Sequence, residues 1–239
     1  MLRVTRVGGR GLHGQTVEAV ARRILSGEIA EGETIDVRNL EAEYGVSLTV
    51  VREAFRVLAA KGLVDARQKR GTFVRPRESW HLLDPDVLRW QFGGSSDHAL
   101  LDNLAELRGI IEPAAARLAA ERREKPDLEA LQGALQEMDA ADDPAAAVNA
   151  DLKFHRALLA ATHNELLSRM EVVLAAGLAE RDLLVHAIDH TDKPTPAHAA
   201  VAEAIEAGDP DAAELAMRKL LEKAARDVNR ARRRQKRAG

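Results

Sequence analysis

The sequence predicts a mostly α protein in two parts. A small N-terminal helix-turn-helix unit closed by a two-stranded ribbon comes first, followed by an antiparallel all-α bundle of about six helices. Three observations predict this. Apolar residues recur at helical spacing through most of the chain. Alanine, the best helix former, is concentrated in the second part: 34 of 43 alanines follow residue 100, and the whole chain has seven aromatics. The stretch of β-type composition, LVDARQKRGTFVRP, falls between the first helices and the rest.

Residues 15–26 place Val17, Val20, Ala21, Ile24 and Leu25 at helical spacing, and Gly27 ends the pattern. A turn-rich EGE leads into a short helix, VRNLEAEY, closed by Gly45. Ser47 stands at the N-cap of a helix over 48–61, whose Val51, Phe55 and Leu58 form one apolar face before Gly62 stops it. Two β-type runs, Leu63–Ala66 and Thr72–Arg75, then flank a basic QKRG turn. This order is a winged helix-turn-helix, assigned to residues 12–78. Residues 79–96 read as a linker with one short amphipathic piece, DPDVLRWQF. Helices are expected at about 97–122, 127–140, 145–162, 164–189, 195–207 and 210–233, with Asn164 capping the fourth. Short connections make them an antiparallel bundle over 97–233, and 234–239 is a basic tail.

Composition narrows the chemistry. The chain has 239 residues and no cysteine, which removes disulfides, thiolate zinc sites and a cysteine nucleophile, and fits a reducing, cytoplasmic home. No apolar run is long enough to span a membrane, and the arginines at 3, 6 and 10 lead into no apolar segment of the signal-peptide kind. The net charge of −3 conceals an asymmetry. Residues 1–78 hold 14 Lys and Arg against 10 Asp and Glu, whereas the remainder holds 21 against 28. A basic first third suggests nucleic acid at that end.

The helix at 48–61 carries Arg52 and Arg56 at i, i+4, on a face that excludes its apolar residues. A helix fits the major groove of duplex DNA, where arginine bonds guanine bidentately. Ser47 and Thr49 stand at the helix start, where free N–H groups and the helix dipole favour phosphate. Arg38 on the preceding helix is a further candidate. The turn of the ribbon supplies Arg67, Lys69, Arg70 and Gly71, charge plus a residue allowing close backbone approach.

With those residues in place, the chain resembles the GntR family of bacterial transcription regulators over residues 15–76, through ILSGEIAEGETI, LEAEYGVS, VVREAFRVLAAKGLV and KRGTFV. The resemblance implies operator contacts from Arg38, Thr49, Arg52 and Gly71. One departure is visible: the family usually has arginine directly after the serine that opens the recognition helix, and this chain has Leu48. Residues 97–233 resemble the FCD effector domain of the fatty-acid-regulator-like subgroup, through LRGIIEPAAARLAAER, ADLKFHRALLAATHNELL and HAAVAEAIEAGDPDAAELAM. More narrowly, WHLLDPDVLRWQF resembles the linker of D-galactonate-type repressors, which implies a sugar acid as effector.

In the bundle, Asp151 and His155 are i, i+4, so a carboxylate and an imidazole share one helical face. The resemblance implies a divalent metal site of one Asp and three His, with His198 as the third ligand. The fourth position, 22 residues further on, is Leu220, so any zinc or nickel would be held weakly by Asp151, His155 and His198, and effector hydroxyls could take the vacated corner. The resemblance also implies that Arg108 faces the effector, as suits capture of a carboxylate. Arg108 and Glu112 are equally spaced for an intrahelical ion pair. His186 and His190 form another i, i+4 pair near a helix end.

Three classes of function follow. A ligand-responsive regulator, most simply a repressor dimer on double-stranded operator DNA, uses every feature above. A metal-dependent enzyme built on Asp151, His155 and His198 lacks a second constellation for a nucleophile or base and leaves the basic winged helix unexplained. A bundle that only dimerises predicts no small-molecule effect on DNA affinity.

Overall fold

The computed structural model describes residues 11–92, 98–175, 177–178 and 195–238. The chain divides into two compact units at Ser96–Asp97.

In the first unit, α1 (Leu12–Leu25) buries Val17, Val20, Ala21 and Ile24 at the helical spacing read from the sequence. Helix α2 (Val37–Tyr44) starts on Asp36, whose side chain accepts from the N–H groups of Arg38 and Asn39, and ends on left-handed Gly45. Helix α3 (Leu48–Ala60) starts on Ser47 and buries Val51, Ala54, Phe55 and Leu58 against the same core. The ribbon is β2 (Val64–Arg67) and β3 (Gly71–Val74).

Two features differ from the sequence expectation. A third strand, β1 (Thr34–Ile35), pairs antiparallel with β3 through Thr34–Phe73 and Ile35–Thr72, giving the sheet order β1-β3-β2. Two residues between polar turns carry too short an alternation to reveal a strand; only the partner edge of β3 supplies the ladder. Residues 79–96, expected as a linker, contribute Trp80, Val87 and Trp90 to the core of the first unit. Helix α4 (Pro85–Phe92) packs on α1. It is held by the carboxylate of Asp84, which accepts from the Asp86 and Val87 N–H groups while meeting Lys61 Nζ at 2.7 Å. Trp80 Nε1 donates to the Arg75 carbonyl.

The second unit contains α5 (His98–Arg122), α6 (Lys125–Ala140), α7 (Pro144–Ala160), α8 (Glu165–Arg169), α9 (Thr195–Ala207) and α10 (Pro210–Ala238). Helix α10 packs along α5 and α9, and α6 lies against α7 and α9. One apolar cluster joins Ala116, Leu131, Phe154, Leu158, Val201, Ile205 and Met217 from five helices. The helix expected over 164–189 is broken early. Asn164 caps α8 as anticipated, accepting from Leu166 and Leu167, but α8 closes at Met170, and helical residues resume at 171. The remainder of that expected helix, with His186 and His190, lies outside the described residues. The expected basic tail is helical through Ala238. Among the described residues, no helix is long and apolar enough to cross a membrane.

Candidate functional site

The first site is the outer face of the winged helix-turn-helix. Arg38 from α2 and Arg52 and Arg56 from α3 line one open groove with Asp36, Leu48 and Thr72. All three arginines are exposed. Their convergence follows from local chemistry. Asp36 fixes where α2 begins, Gly45 allows the tight turn, and burial of Val51, Phe55 and Leu58 orients α3 so that its basic face points outward. Arg56 is paired with Glu53 at 2.7 Å, an exposed contact of little energetic weight.

The remaining sequence candidates divide by role. Ser47 Oγ accepts from Val50 N–H, so its first task is capping α3. Glu41, not singled out from sequence, accepts the Leu48 N–H at 3.1 Å. A carboxylate thus already occupies part of the α3 N-terminus that a phosphate would seek. Thr49 is exposed beside it. At the wing tip, Lys69 has a left-handed backbone (φ 67) and an exposed side chain, next to Gly71 at φ 80. Arg70 behaves differently from Lys69. Its guanidinium lies 3.7 Å from the centre of the Phe73 ring, and Nη2 donates to the Gly32 carbonyl at 3.1 Å. It therefore pins the wing to the loop before β1.

The second site is a buried polar centre inside the bundle. Asp151 and His155 from α7 and His198 from α9 come together, each at most 5% exposed. Their ligand atoms lie within 4.8 Å of one another. His198 Nε2 is 3.0 Å from Asp151 Oδ1, and His155 Nε2 is 3.7 Å from Asp151 Oδ2. Phe154 packs edge-on against both imidazoles.

Arg108 from α5 belongs to the same centre, and so does Glu112, which the sequence reading placed only as an ion-pair partner. Arg108 Nε and Nη2 donate to the Glu112 carboxylate at 2.6 and 3.2 Å, and Nη2 also meets His155 Nε2 at 3.1 Å. Glu112 Oε2 in turn lies 3.0 Å from His155 Nδ1. Glu112 is fully buried and Arg108 nearly so. Burial alone would push the Glu112 carboxyl up, but the Arg108 charge and then His155 override it and hold it down at about 2. Burial pushes His155 below its usual value; Glu112 and Asp151 oppose that only in part, and Arg108 adds to it. The imidazole is therefore neutral near pH 7, with Nε2 accepting from the guanidinium. Arg108 also lines a cavity of about 130 Å³ between α5 and α10, with Leu104, Leu221, Val228 and Arg232.

A resident metal ion does not fit this arrangement well. The Nε2 lone pair of His155 already receives an Arg108 N–H, and a second cation beside that guanidinium would be repelled. Leu220, at the position where a fourth ligand is expected, is buried in the apolar cluster with Phe154 and Val201. It has no donor atom to offer.

Both units of the chain match known protein families. Residues 12–74 match the model of bacterial regulatory proteins of the gntR family, and residues 103–223 match the FCD domain. The galactonate operon transcriptional repressor of Escherichia coli K12 is 36% identical over 162 residues, spanning 67% of this chain and 71% of that protein. The regulator LutR of Bacillus subtilis is 36% identical over 149 residues, 62% of this chain and 66% of LutR. The solved structure of Lar, which controls expression of the Listeria monocytogenes agr system, shares the fold. It has a TM-score of 0.66 at 18% identity, covering 94% of this chain and 99% of that one. Because the relatives are regulators, the metal-dependent enzyme is set aside. The chain belongs to the GntR family of DNA-binding transcription regulators, with an FCD effector domain behind its winged helix-turn-helix.

Proposed function

We propose that the protein is a cytoplasmic homodimer that represses a catabolic operon and leaves its operator when a small carboxylate, such as a sugar acid, enters the bundle. The observation that carries this reading is the buried polar centre: Arg108, Glu112, Asp151, His155 and His198 gathered at close range and enclosed by apolar helices. Such a centre suits a small hydrophilic acid recognised by a few placed polar groups. Its hydroxyls would bond Asp151, His155 and His198. Its carboxylate would meet the Nη1 edge of Arg108, since Nε and Nη2 are committed to Glu112 and His155. The relative named as a galactonate operon repressor supports a sugar acid. On the DNA, Arg52 reads base edges, with Arg38 and Arg56 beside it, Ser47 and Thr49 near phosphate, and Lys69 and Gly71 at the wing. Two copies double the short site that one α3 covers.

The test is a gel shift with duplex from upstream of the protein's own coding sequence, with and without sugar acids. Wild type is expected to retard the duplex and release it on addition of one acid. Arg52→Ala is expected to lose about 1–3 kcal/mol of discrimination at one base pair. Unchanged operator binding by Arg52→Ala would remove α3 as the reading helix, and no release by any carboxylate would remove the effector class.

Metal is expected to bind weakly or not at all. Elemental analysis of untagged protein should find less than one equivalent of zinc or nickel, all of it removable by chelator. Leu220→His should bind either metal more tightly if Asp151, His155 and His198 are correctly placed. Stoichiometric, chelator-resistant metal in the wild type would overturn this reading.

A further inference from the structure

The C-terminal half of α10 has a charge that the rest of its unit does not explain. Residues 97–225 hold 13 Lys and Arg against 25 Asp and Glu, whereas residues 226–239 hold seven against one. An acidic bundle carried next to DNA is repelled by it, so a concentrated positive end on that bundle is a feature to account for.

The arginines are organised. At about 100° per residue, Arg226, Arg230, Arg233 and Arg234 fall within one arc of about 100°. Opposite them lie Met217 and Ala231, both buried, and Ala224 and Val228, which line a cavity with Leu101 and Leu104 of α5. All four arginines are exposed, and together with Asn229 they line one open groove. The single acidic residue of the segment, Asp227, is engaged by Lys223 at 3.2 Å. Glu222 stands 4.0 Å from Arg226, at the limit of an exposed ion pair. Helix rise puts Arg226 and Arg234 about 12 Å apart along the axis. One DNA strand advances about 3.4 Å per phosphate, so this length matches about three successive phosphates. Guanidinium forks suit phosphate oxygens better than they suit open water.

We propose that this arginine stripe is a second DNA-binding surface, one that grips the phosphate backbone without reading sequence. It rests on the protein's being a DNA-binding regulator, and it adds a contact outside the winged helix-turn-helix. The stripe contributes affinity and salt dependence, and leaves the preference for the operator to α3 and the wing.

The experiment measures anisotropy of a dye-labelled operator duplex and of a mixed-sequence duplex of equal length, titrated with the full chain over a series of KCl concentrations. Wild type is compared with Arg226→Gln/Arg230→Gln/Arg233→Gln/Arg234→Gln, with the corresponding four-fold Arg→Lys variant, and with Lys69→Ala at the wing. The four-fold Gln variant should bind both duplexes more weakly, with the slope of log affinity against log salt reduced by about 2–3. Its operator preference should be unchanged, and the Lys variant should keep most of the slope. A slope unchanged by the Gln variant, while Lys69→Ala lowers it by about 1, overturns the stripe alone and leaves the regulator intact. A Gln variant that changes sedimentation but not slope also overturns it, because the stripe then faces another copy. Failure of wild type to bind either duplex overturns both readings together.

Discussion

Glu112→Gln is expected to destabilise the second unit by about 3–5 kcal/mol, read as loss of helical circular dichroism in urea. The side chain is nearly isosteric, so packing is not the reason. The substitution strands the Arg108 guanidinium in a site that is 3% exposed, and an uncompensated buried charge costs that much. The double replacement Arg108→Met/Glu112→Leu removes both charges and should recover most of the loss, while abolishing effector-induced release of DNA. The pair also sets an acid limit. Glu112 is held at about 2, below its usual 4.5, so its stabilisation is complete above about pH 4.5 and disappears as pH falls toward 2. His155, depressed by burial, acts in the same direction. Its neutral form is free of cost above its usual 6.5, and acid must charge it inside the core. The Gln variant should therefore unfold with a flatter pH dependence below 4.5. A Gln variant as stable as wild type would mean that this carboxylate is not the counter-charge of Arg108.

The second large effect is expected at Gly62, where α3 gives way to β2. The residue has φ 76, and a Cβ there would overlap the carbonyl oxygen of Ser79 and crowd His81. Left-handed backbone costs a non-glycine about 1–3 kcal/mol, and overpacking adds about as much. Gly62→Ala should therefore cost the first unit at least about 2 kcal/mol and weaken DNA binding. Both tryptophans, Trp80 and Trp90, lie in the core of that unit, so their fluorescence follows its unfolding without signal from the bundle. Gly133→Ala on α6, where nothing lies within 4 Å of the added Cβ, should instead stabilise by about 0.5–1 kcal/mol. Equal tryptophan unfolding curves for Gly62→Ala and wild type would contradict the steric argument.

The sequence alone determined whatever depends on neighbours a few residues apart. Val17, Val20, Ala21 and Ile24 mark α1 because helix periodicity is written into spacing. Ser47 and Gly45 mark the turn because capping and left-handed backbone are properties of single residues. The i, i+4 rule likewise put Asp151 next to His155 and made the Arg108–Glu112 pair foreseeable, and the basic face of Arg52 and Arg56 was legible for the same reason. Tertiary structure decided everything that depends on a partner distant in the chain. Strand β1 exists because β3 offers it an edge, and the supposed linker became core because Trp80, Val87 and Trp90 found an apolar surface on α1 and α3. Spacing does not show that Arg70 faces Phe73 and Gly32 while Lys69 faces outward, since both are charges in one turn. Most consequentially, spacing joined only Asp151 to His155, and only the family resemblance added His198 and Arg108; packing brought the three helices together and drew Glu112 into the same centre. Burial then turned an ordinary surface-type ion pair into the counter-charge of a closed polar centre, because a charge removed from water must find its balance among the side chains that enclose it.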